Sequence, residues 1–392
     1  MRLAWGQEQE AFRADLIAFL DEHAPPEALA WEHTSGGGSD DLRPAWAQAW
    51  QATLFDHGWM VPAYPPDLGG RNATPVQTLV YLEEMARRGI PRSLHFTSYG
   101  IAAPSLLEFG NQDQRKLAPA AIRGDAVWCI GMSEPNAGSD LASLRTRAEL
   151  DGEDFVVNGQ KVWTSYAMVS DWCLCFVRTN LDAPKHRGIS ALLVEMRTPG
   201  IEVKPLRQIT GSAEFAEVFF TDARVPAANL LGALDDGWRI TAGSLAHERA
   251  GIWIEGVARA ERALDQLVEL ASDLGANRDS AVRRNLAELA EQTWSLRALG
   301  YKGCAGFSSG SAAPEHSYMK MATSELWQDL MELGLKLRGP FGTVVDPERA
   351  GVSHRWPLQY LASFAATLAG GTSEIQRDVI ARRVLGLPRA KR

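Results

Sequence analysis

The sequence predicts an α+β protein in which helices and strands occupy separate stretches of the chain. Up to residue 125, and again from residue 233, apolar residues recur at three- and four-residue spacing, the period of amphipathic helices. Residues 126–232 instead contain short apolar runs separated by Gly-containing dipeptides, a pattern typical of strands joined by turns. This order predicts an N-terminal helical domain at 1–125, a middle β domain at 126–232 and a C-terminal helical bundle domain at 233–392.

Length and composition indicate a globular protein with more than one packed unit. The 392 residues exceed the roughly 250 to 300 at which a single hydrophobic core stops growing. Hydrophobic residues make up 45% and charged residues 22% of the chain, as in ordinary soluble domains. The formal net charge of -8 and the lack of a basic stripe in the sequence disfavour nucleic acid as the principal partner.

The sequence also predicts a cytoplasmic protein without a membrane span or a metal site. The first residues, M-R-L-A-W-G-Q-E-Q-E, lack the apolar core of a secretory signal, and no apolar run approaches the roughly 18 residues of a span. The four cysteines, which form no C-x-x-C pair and are predicted to be reduced core thiols, are Cys129, Cys173, Cys175 and Cys304.

The first third of the chain is predicted to be helical from Glu8 to about Ala121. Phe12, Leu16 and Phe19 illustrate the helical spacing. One stretch interrupts it, at Thr34 to Asp41, where three successive glycines predict a mobile surface loop.

The middle domain is predicted from six short apolar runs and two turn dipeptides. Asp151-Gly152 and Asn158-Gly159 are interpreted as tight turns, because glycine after Asp or Asn accepts a positive φ. The predicted strands are Leu144 to Leu150, Asp154 to Val157, Trp172 to Arg178, Ile189 to Glu195, Ile201 to Pro205 and Glu217 to Thr221.

Four further helices are predicted after residue 232. Because no G-x-G-x-x-G opens a helix and the elements do not alternate, the pattern disfavours a nicotinamide-binding domain of the Rossmann type. The predicted helices are Gly237 to Leu274, Ser280 to Phe307, His316 to Leu337 and Ser373 to Leu385.

Two segments are candidates for a flavin pocket. They are Cys129 to Asp140, C-I-G-M-S-E-P-N-A-G-S-D, and Gly159 to Ser165, G-Q-K-V-W-T-S. A flavin ring needs hydrogen-bond donors at its polar edge, small residues near its phosphates and a flat apolar partner for its face. Taken singly, the Ser, Gly and Asp residues also fit turns or helix caps, and Trp163 also fits a core position.

The ordered pair of segments, with a β-rich stretch between them, resembles the acyl-CoA dehydrogenase family, flavoproteins that desaturate acyl-CoA thioesters between the α and β carbons. The resemblance covers nearly the whole chain. It implies the acyl-CoA dehydrogenase fold, with a middle β-barrel-like domain and a C-terminal four-helix bundle that hold FAD between them. It also implies formation of a trans-2-enoyl-CoA and transfer of the electrons to an electron-transfer flavoprotein.

The resemblance assigns cofactor contacts residue by residue. Ser133 and Ser165 match hydroxyls at the flavin ring edge, Trp163 matches the residue packed on the ring, and Ser139 matches one near the pyrophosphate. Thr372 also fits a plain N-cap, which is compatible with a cofactor contact. The implied cofactor-binding residues are Ile130, Met132, Ser133, Gly138, Ser139, Trp163, Thr164, Ser165, Gly371, Thr372, Glu374 and Gln376.

Glu248 is the candidate base that removes the α proton. Its segment A-H-E-R-A-G lies on a long helix with an otherwise apolar face, but a surface glutamate paired with a neighbouring arginine would give the same pattern. Many family members place the base just before the C-terminal Gly-Thr pair, where this chain has Gly370. Glu248 matches a second group, which carries the base on the helix, and Glu374 is the nearest alternative carboxylate.

The resemblance also implies the substrate contacts. The backbone N–H of Gly370 is expected to polarise the thioester carbonyl. Ser139, Leu245 and Arg249 complete the expected substrate contacts. His247 suggests a zinc motif only superficially, because the second histidine that the motif requires is replaced by Gly251.

Two departures from the family concern oligomerisation. The family's Arg-x-x-Phe-Gly is not recognisable in Gly275 to Arg284, and Leu335 to Gly342 lacks part of Q-x-x-G-G-x-G. Because relatives are usually dimers or tetramers, the resemblance implies a homo- or hetero-oligomer, a dimer or tetramer. The chain is also similar to actinobacterial sterol side-chain dehydrogenases, some of which pair with a different subunit. The alternatives are a flavin subunit that is incomplete without its partner, an acyl-CoA oxidase and a flavin monooxygenase.

Overall fold

A computed structural model describes residues 5–29, 41–308, 315–345 and 355–388, without the side chains of 242, 244–253, 304–308, 315–317 and 355. The predicted loop at Thr34 to Asp41 lies outside the described residues, except for Asp41. The chain divides into two compact units. The first unit comprises 1–37, 74–91 and 249–392, and the second comprises 38–73 and 92–248.

Helices precede the sheet, as predicted, and they are divided between the two units. A capping box at Thr74, in which Gln77 pairs reciprocally with the cap residue, begins the third helix just before Pro75. Thr97–Ala102 adds a π-helical turn. The α-helices are α1 Gln7–His23, α2 Ala45–Asp56, α3 Pro75–Arg87, α4 Ala103–Phe109, α5 Gln112–Arg115 and α6 Ala118–Arg123.

Eight strands of the second unit form one mixed sheet. Along the sheet they follow the order β6-β7-β3-β2-β4-β5-β8, and β1 pairs in parallel with β4. The strands are β1 Trp128–Gly131, β2 Arg147–Asp151, β3 Asp154–Ser165, β4 Trp172–Arg178, β5 Ile189–Glu195, β6 Ile201–Leu206, β7 Phe215–Pro226 and β8 Leu230–Leu231.

The turn predicted at Asn158-Gly159 is wrong, whereas a turn at Asp151-Gly152 does join β2 to β3. Strand β3 runs through Gly159, where the register with β7 shifts and φ is +149°. A Cβ on Gly159 would lie 2.6 Å from the Cα of Thr146. Glycine is needed here for a β-bulge and for close approach of another backbone segment.

The apolar core of the second unit is built from alternating residues of the sheet. Val157, Val177 and Val218 are among its buried members. Cys129, Cys173 and Cys175 are free and buried in the same core, as predicted. A hydrogen bond with Cys173 and, next to it, burial raise the pKa of Cys175 well above its ordinary value. The side chain of Cys304 lies outside the described set.

Long helices follow the sheet. Pro357, which interrupts the sequence pattern, sits in the first turn of a helix that sequence reasoning missed; a proline is tolerated there. The helices are α7 Gly237–Asp273, α8 Ser280–Ser308, α9 Glu315–Arg338, α10 Arg355–Ala366 and α11 Ser373–Val379, followed by a π-helical turn at Ile380–Val384. The predicted α+β class is confirmed. Of the helices described, none has the length and apolar character needed to cross a membrane.

Candidate functional site

The structure brings the two predicted flavin segments together within the second unit. Ser133 follows β1, and its carbonyl accepts a 2.9 Å hydrogen bond from the backbone N–H of Val162 in β3. Beyond Ser133, Glu134 and Ala137 exchange two backbone hydrogen bonds of 3.0 Å, which close a tight turn. The half-buried Ser133 and the end of β3 therefore belong to one local framework.

Trp163 lies at a second bulge in β3 and is exposed. The register with β7 shifts between Lys161 and Thr164, and Trp163 itself has a φ of +59°. A bulky residue rarely adopts this conformation, and bulges frequently direct a side chain toward a functional site. The indole is 59% exposed and meets the Phe215 ring edge-on at 6.0 Å between centroids. A flat apolar surface is thus presented outside the core.

The residues around Trp163 leave space and polar atoms for a ligand. Thr164 is buried, and its Oγ1 has no hydrogen-bond partner among the described residues. Ser165 ends β3 half-buried. Gly138 and Ser139 are exposed, and a Cβ on Gly138 would meet nothing within 4 Å. An unpaired buried hydroxyl is costly, so the Thr164 hydroxyl fits a site completed by a bound polar group.

A buried ion pair that sequence reasoning missed joins the two segments. The Lys161 ammonium lies 2.8 Å from Oε1 of Glu134, and the two residues are 0% and 8% exposed. Backbone N–H groups of Arg145 and Thr146 donate to the same carboxylate at 2.6 and 2.8 Å. Burial acts to raise the pKa of Glu134, but the charge and hydrogen bond of Lys161 and these further donors outweigh it, so the pKa lies below its ordinary value.

This carboxylate is expected to contribute a pH-dependent stability. Because the pKa of Glu134 is lowered by folding, its contribution is complete above the unfolded value of about 4.5 and is lost as the pH falls through the folded value. Thermal unfolding from neutral pH to about pH 3 tests this expectation. The difference in Tm between the wild type and Glu134→Gln should become smaller as the pH falls below about 4.5. A Tm difference that stays constant with acidification would contradict this linkage.

The predicted C-terminal loop lies in the first unit and is held by hydrogen bonds from side chains of α9 and α11. Gly370 and Gly371 have φ values of +65° and +96°. The Thr372 hydroxyl accepts a 3.3 Å hydrogen bond from the Ile375 N–H and caps α11, while its role as a cofactor contact stays a prediction. The ammonium of Lys320 on α9 donates to the Gly371 carbonyl at 2.6 Å.

Two predicted cofactor residues in α11 differ in exposure. Gln376 is 2% exposed, and its side-chain amide donates to the Gly370 carbonyl at 2.9 Å. Glu374 is exposed in the first turn, where its own backbone N–H and the Thr372 hydroxyl lower its pKa. Gln376 therefore shapes the loop from inside, whereas Glu374 faces solvent within this unit.

The candidate base is carried by α7, whose backbone is helical at position 248. The side chains of Leu245, His247, Glu248 and Arg249 lie outside the described residues, and their roles stay predictions. In the described part of the chain, no group of three His, Cys, Asp or Glu side chains could hold a metal ion.

Family models match the chain along most of its length. The acyl-CoA dehydrogenase N-terminal domain matches residues 6–125, the middle domain 129–223 and the C-terminal domain 235–385. The chain belongs to the acyl-CoA dehydrogenase family, and the resemblance seen in the sequence is confirmed.

Named relatives are similar over the full chain. Acyl-CoA dehydrogenase IpdE1 of Mycobacterium tuberculosis (strain ATCC 25618 / H37Rv) is 37% identical over 389 residues, which cover 98% of this chain and 99% of the relative. Among solved structures, the Tcur3481-Tcur3483 steroid ACAD has a TM-score of 0.86 at 28% identity, with both chains covered completely. The ChsE4-ChsE5 complex from Mycobacterium tuberculosis has a TM-score of 0.84 at 30% identity, also over both complete chains.

Proposed function

We propose that this protein is an FAD-dependent acyl-CoA dehydrogenase that introduces a trans double bond between the α and β carbons of an acyl-CoA thioester. The exposed Trp163, presented on a bulge beside Ser133, is the observation that carries the proposal. Membership of the family supports the reaction class.

The described residues of the second unit fit FAD. Trp163 offers a face for the ring, and the Thr164 hydroxyl offers an unpaired polar atom. Ser133 and Ser165 would bond the ring edge, and the open space at Gly138 would admit the pyrophosphate beside Ser139. When bound, the flavin supplies the acceptor for the hydride that leaves the β carbon.

The chain itself would supply the base and the polarising donor. Glu248 would take the proton from the α carbon, since a carboxylate in a dry pocket is a stronger base than one in water. The N–H of Gly370 would stabilise negative charge that develops on the thioester oxygen. Leu245 and Arg249 would border the acyl group on the same helix.

The acyl group that we favour is derived from a steroid. Support comes from the similarity to a structure named as a steroid ACAD. The ChsE4-ChsE5 complex contains two differently named components, and the present chain is proposed to pair with a second subunit in the same way. The proposed electron acceptor is an electron-transfer flavoprotein, and the proposed compartment is the cytoplasm.

Purification with and without a co-expressed partner tests this function. The complex should be yellow, should be bleached by a suitable acyl-CoA without oxygen, and should turn over with an artificial electron acceptor. A panel of linear, branched and steroid thioesters identifies the acyl group. Stoichiometric peroxide formation in air would favour an oxidase instead, and a complex that binds no FAD would contradict the proposal.

Trp163→Ala is expected to weaken FAD binding by about tenfold, since aromatic stacking contributes about 0.5–1.5 kcal/mol beyond buried area. The Tm of the apoprotein should change little because the indole is exposed. Fluorescence titration of the apoprotein with FAD measures the Kd. Trp294→Ala on α8, where the indole is 64% exposed, is the matched control and should bind FAD like the wild type. Equal Kd values for the two variants would remove Trp163 from the site.

A further inference from the structure

We infer that the buried Lys161–Glu134 ion pair is a positioning device for the flavin site, which holds the Met132–Ser133 segment and the Trp163–Ser165 segment in fixed relation. The inference rests on the proposed function and extends it, because neither charged residue belongs to the expected cofactor contacts.

The pair is unusual for its burial. Among the ion pairs of the described residues, it is the one whose two side chains are the least exposed. Removing two charges from water costs free energy that their attraction recovers only with good geometry and further hydrogen bonds. Such a pair is weak evidence for stability as such, which leaves specificity of local structure as its physical role.

The Lys161 ammonium connects both halves of the site. It donates to the Met132 carbonyl at 3.2 Å and to Glu134 at 2.8 Å, so one side chain of β3 is bonded on both sides of Ser133. The backbone bond from Val162 to Ser133 lies between these two contacts. The position of Ser133 relative to β3 is thereby fixed at three successive residues.

The Glu134 carboxylate extends the same framework to a third segment. Its two oxygens accept from the N–H groups of Arg145 and Thr146, which lead into β2. Gly138 and Ser139, the residues expected near the pyrophosphate, directly follow the tight turn that Glu134 and Ala137 close. The pair therefore joins the ring-edge segment, the base of this turn and the sheet.

The pair also stands next to the strained position that presents Trp163. Lys161 is the last residue in regular register before the bulge, and Trp163 follows with its positive φ. A strained backbone conformation of this kind persists only when contacts with the surrounding structure hold it in place. Lys161, two residues earlier, is fully buried and donates hydrogen bonds to two partners, and it thereby provides that constraint.

The test is a cycle of Lys161→Met, Glu134→Gln and the double variant, each prepared as the full-length complex. Each single variant leaves one buried charge uncompensated, so its Tm should fall, and the double variant should regain part of that loss. If the pair positions the flavin site, all three should bind FAD at least about tenfold more weakly, the equivalent of about 1.4 kcal/mol, and the visible circular dichroism of the flavin should change. Arg224→Met, which removes a cation from an exposed ion pair of the same sheet, is the control and should leave both readouts unchanged.

A purely structural pair would give a different pattern. FAD affinity would then follow Tm through the cycle and recover in the double variant, and this result would overturn the inference. Single variants that bind FAD like the wild type would also overturn it, without affecting the proposed function. A wild-type complex that binds no FAD would overturn both.

Discussion

Glu248→Gln is expected to keep its bound FAD and to lose turnover by about 10² to 10⁴, the usual contribution of a positioned general base. Glutamine preserves the shape of the side chain but cannot accept the α proton. Anaerobic mixing with the preferred acyl-CoA should therefore bleach the flavin far more slowly than in the wild type, while the absorption spectrum before mixing stays the same. Stopped-flow reduction separates this chemical step from substrate binding.

Glu269→Gln is the matched control for this experiment. Glu269 is exposed on the same helix, 21 positions further along, so its substitution removes an equal charge from α7 without touching the site. Its reduction rate should equal that of the wild type. Near-normal reduction in Glu248→Gln would remove Glu248 from its proposed role and would direct attention to Glu374.

The order of helices and strands could be predicted because each element has a characteristic period that survives tertiary packing. Strand β4 is apolar along its length and was predicted with its observed ends, Trp172 and Arg178. Strand β5 was likewise predicted from Ile189 to Glu195. Both are inner strands of the sheet, and a short apolar run of this length is typical of a buried strand.

The extent of β3 could not be predicted because it depends on contacts distant in sequence. Asn158-Gly159 has the composition of a tight turn, yet β3 continues through it. The Asn158 side chain is engaged by Asp222 of β7, and Gly159 faces Thr146. A pattern within one segment carries no information about these partners.

The helix α10 was missed for a similar reason. Its proline weakens the sequence pattern, and its position depends on packing with α9. Trp356 is buried, and a Cβ on Gly334 of α9 would lie 2.3 Å from its ring. The glycine makes room for the tryptophan, a complementarity that appears only once the two helices are in place.

The Lys161–Glu134 pair illustrates the limit for the site. Lys and Glu are almost never fully buried unless they are paired, so each is first interpreted as a surface residue. The one available signal was the position of both residues inside the two candidate segments, with Lys161 two residues before Trp163. A sequence pattern points to residues expected to face a ligand more readily than to the buried residues that hold them in place.

Gly371→Ala is expected to lower both stability and activity. The φ of +96° is unfavourable for any residue with a Cβ, at a cost of about 1–2 kcal/mol. The added Cβ would also lie 2.7 Å from the side-chain nitrogen of Gln376, which must then leave the Gly370 carbonyl. If that shift moves the Gly370 N–H by about 1 Å, kcat/KM should fall by about 10²-fold. Thermal unfolding and steady-state kinetics on one preparation measure the two effects.

Gly275→Ala is the control for Gly371→Ala. It distinguishes an effect of the Gly370–Gly371 loop on activity from the general effect of backbone strain on stability. Gly275 also has a positive φ, +64°, but a Cβ there would meet nothing within 4 Å. Both substitutions place an alanine in a left-handed backbone conformation, but only Gly371→Ala displaces Gln376. Gly275→Ala should therefore lower the stability and leave kcat/KM unchanged. A Gly371→Ala enzyme with wild-type kinetics would contradict the expected loss of activity, even if its Tm falls as expected.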